Sequence, residues 1–283
     1  MGMEHDQDWY REQYDPFAQV TDYTALFSDW SLRSGRARQN NRCDLNVSYG
    51  PTPLQALDVF PSACANAPVF AFIHGGYWRG SDKAIHSFLA PALVEAGAVV
   101  VLLNYDLCPV VDIGSIVEQT TAGIGWVYQN IARYGGNPEH VVVAGHSAGG
   151  HLAAMQICRR AATRNGNPLP HISRALAISG LYDLAPVRRA SFIQQDLRLT
   201  EGAVRGLSPV LLEPNAGSVI QLAVGGMESD EFIQQSQLLA RQWGPQVATK
   251  CELIPQRDHF RVLEDLASSK GKLYAMALEL LEL

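Results

Sequence analysis

Residues 141–149 read Val141-Val142-Val143-Ala144-Gly145-His146-Ser147-Ala148-Gly149. The opening residues are apolar and mostly β-branched, as in a buried strand, while Gly150-His151-Leu152-Ala153-Ala154-Met155-Gln156-Ile157, which follows, is rich in helix formers. Between the two, G-x-S-x-G predicts a sharp strand-to-helix turn that presents Ser147 at its tip, the setting a nucleophilic serine requires. The flanking glycines fit the strain of such a turn, since a Cβ at Gly145 or Gly149 would meet the neighbouring strand or helix. The bare pattern arises by chance in roughly one chain in ten of this length. Its strand-turn-helix setting therefore carries the assignment.

Upstream, the apolar run 68–73 ends in His74-Gly75-Gly76-Tyr77-Trp78. The tetrahedral intermediate of acyl transfer carries a negative oxygen that needs preorganised N–H donors, and losing one donor costs about 3–4 kcal/mol. Two consecutive glycines after a central strand let the backbone aim its amides at that oxygen. The expected donors are the N–H groups of Gly75, Gly76 and Ala148, the residue after the nucleophile. Tyr77 and Trp78 come next and either wall the leaving group or pack in the core.

A serine nucleophile needs a base and an acid later in the chain, in the order Ser, Asp/Glu, His. Of the eight histidines, His171 and His259 follow the elbow helix. His171, beside Pro170 and ahead of a strand at 175–179, falls at the wrong end of a parallel sheet. His259, in Gln256-Arg257-Asp258-His259-Phe260, follows the last strand and precedes the last helix, where the carboxyl ends of the strands gather. The acid is read from Gly225-Gly226-Met227-Glu228-Ser229-Asp230-Glu231. Glu228 is nearest the strand end; its rival Asp230 would stand in the first helical turn behind an Ser229 N-cap, and Asp183, a third candidate, suits local capping ahead of Pro186.

Apolar strand-like and helix-like segments alternate along the chain. An antiparallel pair at 45–49 and 54–59 opens the series around Gly50-Pro51-Thr52-Pro53, followed by strands at 68–73, 98–105, 141–144, 175–179, 219–224 and 249–254. Helices are expected near 86–96, 113–134, after the elbow, and at 260–281. This rhythm predicts an α/β fold, a mostly parallel central sheet with helices on both faces in one domain spanning 1–283. Two segments depart from it. Residues 1–40 are polar yet aromatic and suit a helical extension laid against the body, and residues 183–217, with three prolines, suit a small cap inserted over the site.

The composition bounds what such a domain does. With 283 residues, 47% hydrophobic and 18% charged, the chain can bury a large core. A net charge of −6 leaves no basic stripe for nucleic acid or an anionic membrane surface. The amino terminus lacks a basic and apolar leader, and no run of 18 apolar residues occurs, so a cytoplasmic location without membrane attachment is expected. Five cysteines with no C-x-x-C pair point to neither a disulfide framework nor a zinc site. Cys108, near a strand end, receives no role. The chemistry requires no metal and no organic cofactor.

The HGGYW loop, Asn104-Tyr105-x-Leu107-x-Pro109, the GHSAG elbow, the run from Val224 to Ser236 that includes Glu228, Glu231, Phe232 and Gln235, and Asp258-His259-Phe260 together resemble the kynurenine formamidase (arylformamidase) family of α/β hydrolases. The resemblance extends to Trp9-Tyr10-x-x-Gln13-Tyr14. It implies an α/β-hydrolase fold and a Ser147–Glu228–His259 triad acting on small aromatic amides or esters, with a homodimer left open. That family usually carries aspartate where this chain has Glu228, and glutamate there resembles related aryl-acylamidases acting on N-acyl anthranilates. A broad short-chain carboxylesterase with the same residues is the alternative, and a non-catalytic module of this fold the remote one.

Overall fold

A computed structural model describes residues 5–158, 163–164, 167–168 and 172–283, leaving His171 outside the described residues. The main sheet is built from β1 (Asp44–Ser48), β2 (Ala56–Phe60), β3 (Ala67–Ile73), β4 (Val99–Leu103) and β5 (Gly136–His146). After a separate short pair, β6 (Thr163–Arg164) with β7 (Asn167–Pro168), it continues with β8 (Arg174–Ile178), β9 (Val219–Gly225) and β10 (Ala248–Ile254). Its eight strands lie in the order β1-β2-β4-β3-β5-β8-β9-β10. The β1–β2 and β2–β4 pairs are antiparallel, and every later neighbour is parallel.

The strands read as unbroken apolar runs because both faces are buried. On β4, Val99, Val101 and Leu103 enter one core and Val100 and Leu102 the other; on β3, Val69, Ala71 and Ile73 oppose Phe70 and Phe72 in the same way. The extension forms α1 (Gln7–Tyr14), α2 (Pro16–Gln19) and α3 (Tyr23–Asn40); α4 (Ala90–Glu95) follows a 3-10 turn, and α5 (Ile113–Asn130) and α6 (Ala148–Ile157) flank β5 in sequence. Residues 184–207 form α7 (Leu184–Arg189), α8 (Ser191–Leu197) and α9 (Glu201–Leu207), and the chain closes with α10 (Asp230–Trp243), α11 (Val262–Ala267) and α12 (Lys272–Leu281). Side chains of α5, α6, α10 and α7 to α9 pack into the first core, and those of α3, α4, α11 and α12 into the second.

Two expected elements differ. The terminal helix is broken rather than continuous over 260–281, because at Gly271 a Cβ would come within 1.8 Å of the Asp265 carbonyl oxygen, and Asp265 Oδ1 instead accepts the Leu273 N–H at 2.7 Å to start α12. The helix near 86–96 begins as a 3-10 turn over Lys83–Leu89, with Asp82 accepting the Ala84 N–H, and is α-helical only from Ala90.

The extension is bolted to the loops that follow β9 and β10. Ser229 Oγ donates to the Gln13 carbonyl at 2.6 Å, and the Tyr14 hydroxyl donates to Glu231 at 2.5 Å. Further along, Trp30 Nε1 and Arg33 both donate to Glu264, at 2.5 and 2.7 Å. No helix among the described residues is long and apolar enough to cross a membrane.

Candidate active site

The elbow is as tight as its glycines imply. Ser147 has φ +56° and ψ −122°, outside the regions that side chains ordinarily adopt, and such a residue stores about 1–3 kcal/mol held by its surroundings. A Cβ on Gly145 would meet the Gly149 carbonyl oxygen at 2.0 Å, and one on Gly149 would meet the Ile73 carbonyl oxygen at 2.0 Å. The Ser147 N–H donates to the Ile178 carbonyl at 2.8 Å, so β3, β5 and β8 converge under the serine.

The His74-Gly75-Gly76 loop lies directly against this turn. A Cβ on Gly75 would come 2.9 Å from Ser147 Cβ and 2.7 Å from the His146 carbonyl oxygen, and Gly76 has φ +104°. Among the described residues, no backbone hydrogen bond uses the N–H of Gly75, Gly76 or Ala148. His74, fully buried, pins the loop through Nε2 to Asn104 Oδ1 at 2.7 Å and by stacking on Tyr105 at 4.4 Å.

Past the end of β9, Glu228 turns back into the molecule. Its Oε2 lies 2.6 Å from His259 Nδ1, and its Oε1 accepts from Ser179 Oγ at 2.5 Å and from the Gly225 N–H at 2.6 Å. The Glu228 carboxylate is wholly buried and the His259 ring 2% exposed. Neither rival acid reaches the ring. Asp230 is exposed in the first turn of α10 behind the Ser229 cap, and Asp183 caps α7 through the Ala185 N–H at 2.9 Å. The His259 ring lies between His146 and Phe232, with centroids 4.7 and 4.5 Å away, and its carbonyl accepts from His146 Nε2 at 2.6 Å.

Ser147, His259, Gly75 and Gly76 line one cavity of about 490 Å³. Its aromatic wall comes from the extension, with Phe17, Phe27 and Trp30 joining Tyr77 and Phe260. Phe17 and Phe27 each pack about 5 Å from the Phe260 ring, centroid to centroid. Of the two aromatics read as an alternative wall, Tyr77 lines the cavity, tied by its hydroxyl to the Tyr14 carbonyl, but Trp78 does not. Trp78 is fully buried in the core, edge-on to His151. Cys108 is buried beside that loop, its thiol pushed up to about 11 by burial, and does not line the cavity.

Sequence reasoning missed three groups here. Ser179 holds the far oxygen of Glu228, yet a serine after a strand carries no mark of that contact. His146 occupies the variable position of G-x-S-x-G. Phe17, Phe27 and Trp30 lie more than a hundred residues from Ser147 in the chain, and only the density of rings before position 31 hinted at them.

Burial drives three of the buried histidines below the ordinary imidazole range: His146 well below it, with His259 a further cause; His86 to about 3, with His74 adding; and His74 downward as well. Folded, His86 and His146 are neutral near pH 6, whereas the unfolded chain protonates each of them below about 6.5. Their contribution is therefore fully present above that pH and is lost as pH falls toward the folded values. Each ring that stays neutral makes stability fall by about 1.4 kcal/mol per pH unit. The urea unfolding free energy is expected to drop between pH 7 and pH 5, before most carboxylates titrate. A free energy flat across that window would contradict neutral burial of these rings.

The profile of the BD-FAE family matches residues 57–193. Kynurenine formamidase of Salmo salar is 31% identical over 262 residues, covering 89% of this chain and 87% of that protein. Among solved structures, a thioesterase candidate from Silicibacter sp. tm1040 superposes with a TM-score of 0.82 at 28% identity, over 97% of this chain and 98% of that one. Esterase B of Lactobacillus rhamnosis has the same fold, with a TM-score of 0.69 at 20% identity, over 95% of this chain and 94% of that one.

Proposed function

The chain belongs to the kynurenine formamidase family of α/β hydrolases and is a hydrolase, and from that premise we propose that it cleaves aryl-formamides and aryl-acylamides, and small aryl esters, through an acyl-enzyme on Ser147. The observation that carries this reading is the buried Glu228–His259 pair, closed at 2.6 Å and opening on the cavity that holds the strained serine. Ser147 Oγ attacks the substrate carbonyl carbon while His259 Nε2 takes the hydroxyl proton. The new oxyanion is received by the amides of Gly75, Gly76 and Ala148. Glu228 accepts from Nδ1–H, fixes the tautomer and balances the imidazolium. Collapse of the intermediate breaks the carbonyl–nitrogen or carbonyl–oxygen bond, His259 returns the proton to the leaving arylamine or phenol, and water repeats the sequence to free the acid and the serine.

The aromatic wall supports an aryl leaving group, and the scarcity of polar groups on it supports a flat, mostly apolar one. All five cysteines are free, which supports a cytoplasmic setting. A hydrolysis panel tests the assignment: N-formylkynurenine, N-formyl- and N-acetylanthranilate, and p-nitrophenyl esters of increasing chain length. Turnover of at least one arylamide, together with the shortest esters, is expected. Ester turnover with none on any arylamide would instead make the protein a short-chain carboxylesterase.

A further inference from the structure

Resting on the reading of this cavity as the substrate site, we propose that His86 and His146 form a second recognition point within it, a pair of imidazole acceptors that takes an uncharged NH₂ group, a primary carboxamide or free arylamine, carried by the ligand apart from the bond that is cleaved. Both rings line the cavity, yet the acyl-transfer chemistry uses neither. They are 3% and 4% exposed, buried to a degree at which a polar atom ordinarily has a partner.

A backbone carbonyl sets the tautomer of each ring. His86 Nδ1 lies 3.0 Å from the Asp82 carbonyl oxygen, and His146 Nε2 lies 2.6 Å from that of His259. A carbonyl can only accept, so each of these nitrogens carries the proton, and in the neutral ring the other nitrogen, Nε2 of His86 and Nδ1 of His146, keeps a lone pair. Burial holds both rings neutral near pH 6. Among the described residues no hydrogen bond reaches either lone pair, and neither nitrogen is sealed in the interior. Sheet register brings the two rings to one side of the cavity. His146 continues the face of β5 on which Val142 and Ala144 enter the second core, and Ala144 pairs with Phe72 of β3. The His86 ring packs 5.6 Å from Phe72 and 5.9 Å from Trp30, centroid to centroid, and is close enough to His146 to be one of the causes that lower it.

Two acceptors need two hydrogens, which an NH₂ group supplies from a single atom and a hydroxyl does not. A carboxylate sets lone pairs against lone pairs, and an ammonium finds no countercharge on neutral rings. A methyl group in the same place strips water from both nitrogens and returns no hydrogen bond. Two histidines that only packed would be indifferent to the exchange of NH₂ for CH₃.

Benzamide and acetophenone differ by that exchange alone, and benzoate puts a second oxygen in its place. Calorimetric titration of the intact protein is expected to rank benzamide about tenfold or more above acetophenone, the scale of two neutral hydrogen bonds, with benzoate no tighter than acetophenone. His86→Phe keeps a ring against Phe72 and Trp30 and should remove most of the margin while moving the affinity for acetophenone by no more than about twofold. A second readout needs no variant: in nitrogen-15 NMR of the histidine rings, the signals of His86 Nε2 and His146 Nδ1 should shift toward the protonated range as benzamide is added and stay in place with acetophenone. Equal affinity for benzamide and acetophenone, benzoate matching benzamide, or unmoved ring nitrogens would each overturn the proposal, as would His86→Phe weakening both ligands alike. Benzamide has no aryl leaving group and acetophenone no leaving group at all, so binding is read without turnover. Failure of the aryl-amidase reading would appear in the hydrolysis panel instead.

Discussion

Ser147→Ala is expected to lower kcat by about 10⁴- to 10⁶-fold in a protein that still folds. The alanine keeps the Cβ, so the contacts that hold φ at +56° persist and only the nucleophilic oxygen is lost. Residual turnover would come from binding and from the amides of Gly75, Gly76 and Ala148 polarising the carbonyl toward water. Labelling by a fluorophosphonate should vanish with the same substitution. A folded Ser147→Ala protein that turns over substrate at the normal rate, or still labels, would end the acyl-enzyme reading.

Glu228→Gln is the second large effect, and the hydrogen bonds around it say why. Oε1 receives two donors, Ser179 Oγ and the Gly225 N–H, and the latter is a backbone group that can do nothing but donate. In the amide, the oxygen must therefore keep the Oε1 place, and the NH₂ group falls opposite His259 Nδ1. A donor there makes Nδ1 an acceptor and moves the ring proton to Nε2, the atom that has to take the serine proton. The ring is then in the wrong tautomer, which costs about 10⁴-fold in kcat where a triad acid is replaced by its amide. Asp230→Asn, an exposed first-turn charge worth about 0.3–1 kcal/mol of helix stability, should leave kcat within about twofold. Loss of activity in Asp230→Asn with a normal Glu228→Gln would reverse the assignment.

The parts legible in the sequence are those where backbone geometry dictates residue type. Gly145, Gly149, Gly75 and Gly76 sit where a Cβ has no room, so the elbow and its facing loop announce themselves locally. His259 was legible because a parallel sheet gathers the loops after its strands at one edge, and Glu228 because Ser229 marks where the helix starts and leaves the preceding residue free to turn inward. The division of labour among aromatics was not. Tyr77 and Trp78 are adjacent, both with positive φ, yet one faces the cavity and the other the core, and only packing against distant helices decides between them. The break before α12 depends on Asp265 reaching back to Leu273, a contact that apolar periodicity across 260–281 conceals.

The bond from Trp30 to Glu264 spans 234 residues. On a ribosome adding roughly 5–20 residues per second, helix α3 emerges about 12–47 s before the residue that receives its indole N–H. During that interval Phe17, Phe27 and Trp30 have no Phe260 or Glu264 to rest on, so the nascent chain displays a sticky aromatic stretch that a holdase chaperone would grip. The part of the cavity wall that Phe17, Phe27 and Trp30 supply is thus synthesised well before the ring and the carboxylate that seat it, and the cavity is complete only once residues 260–264 have joined it.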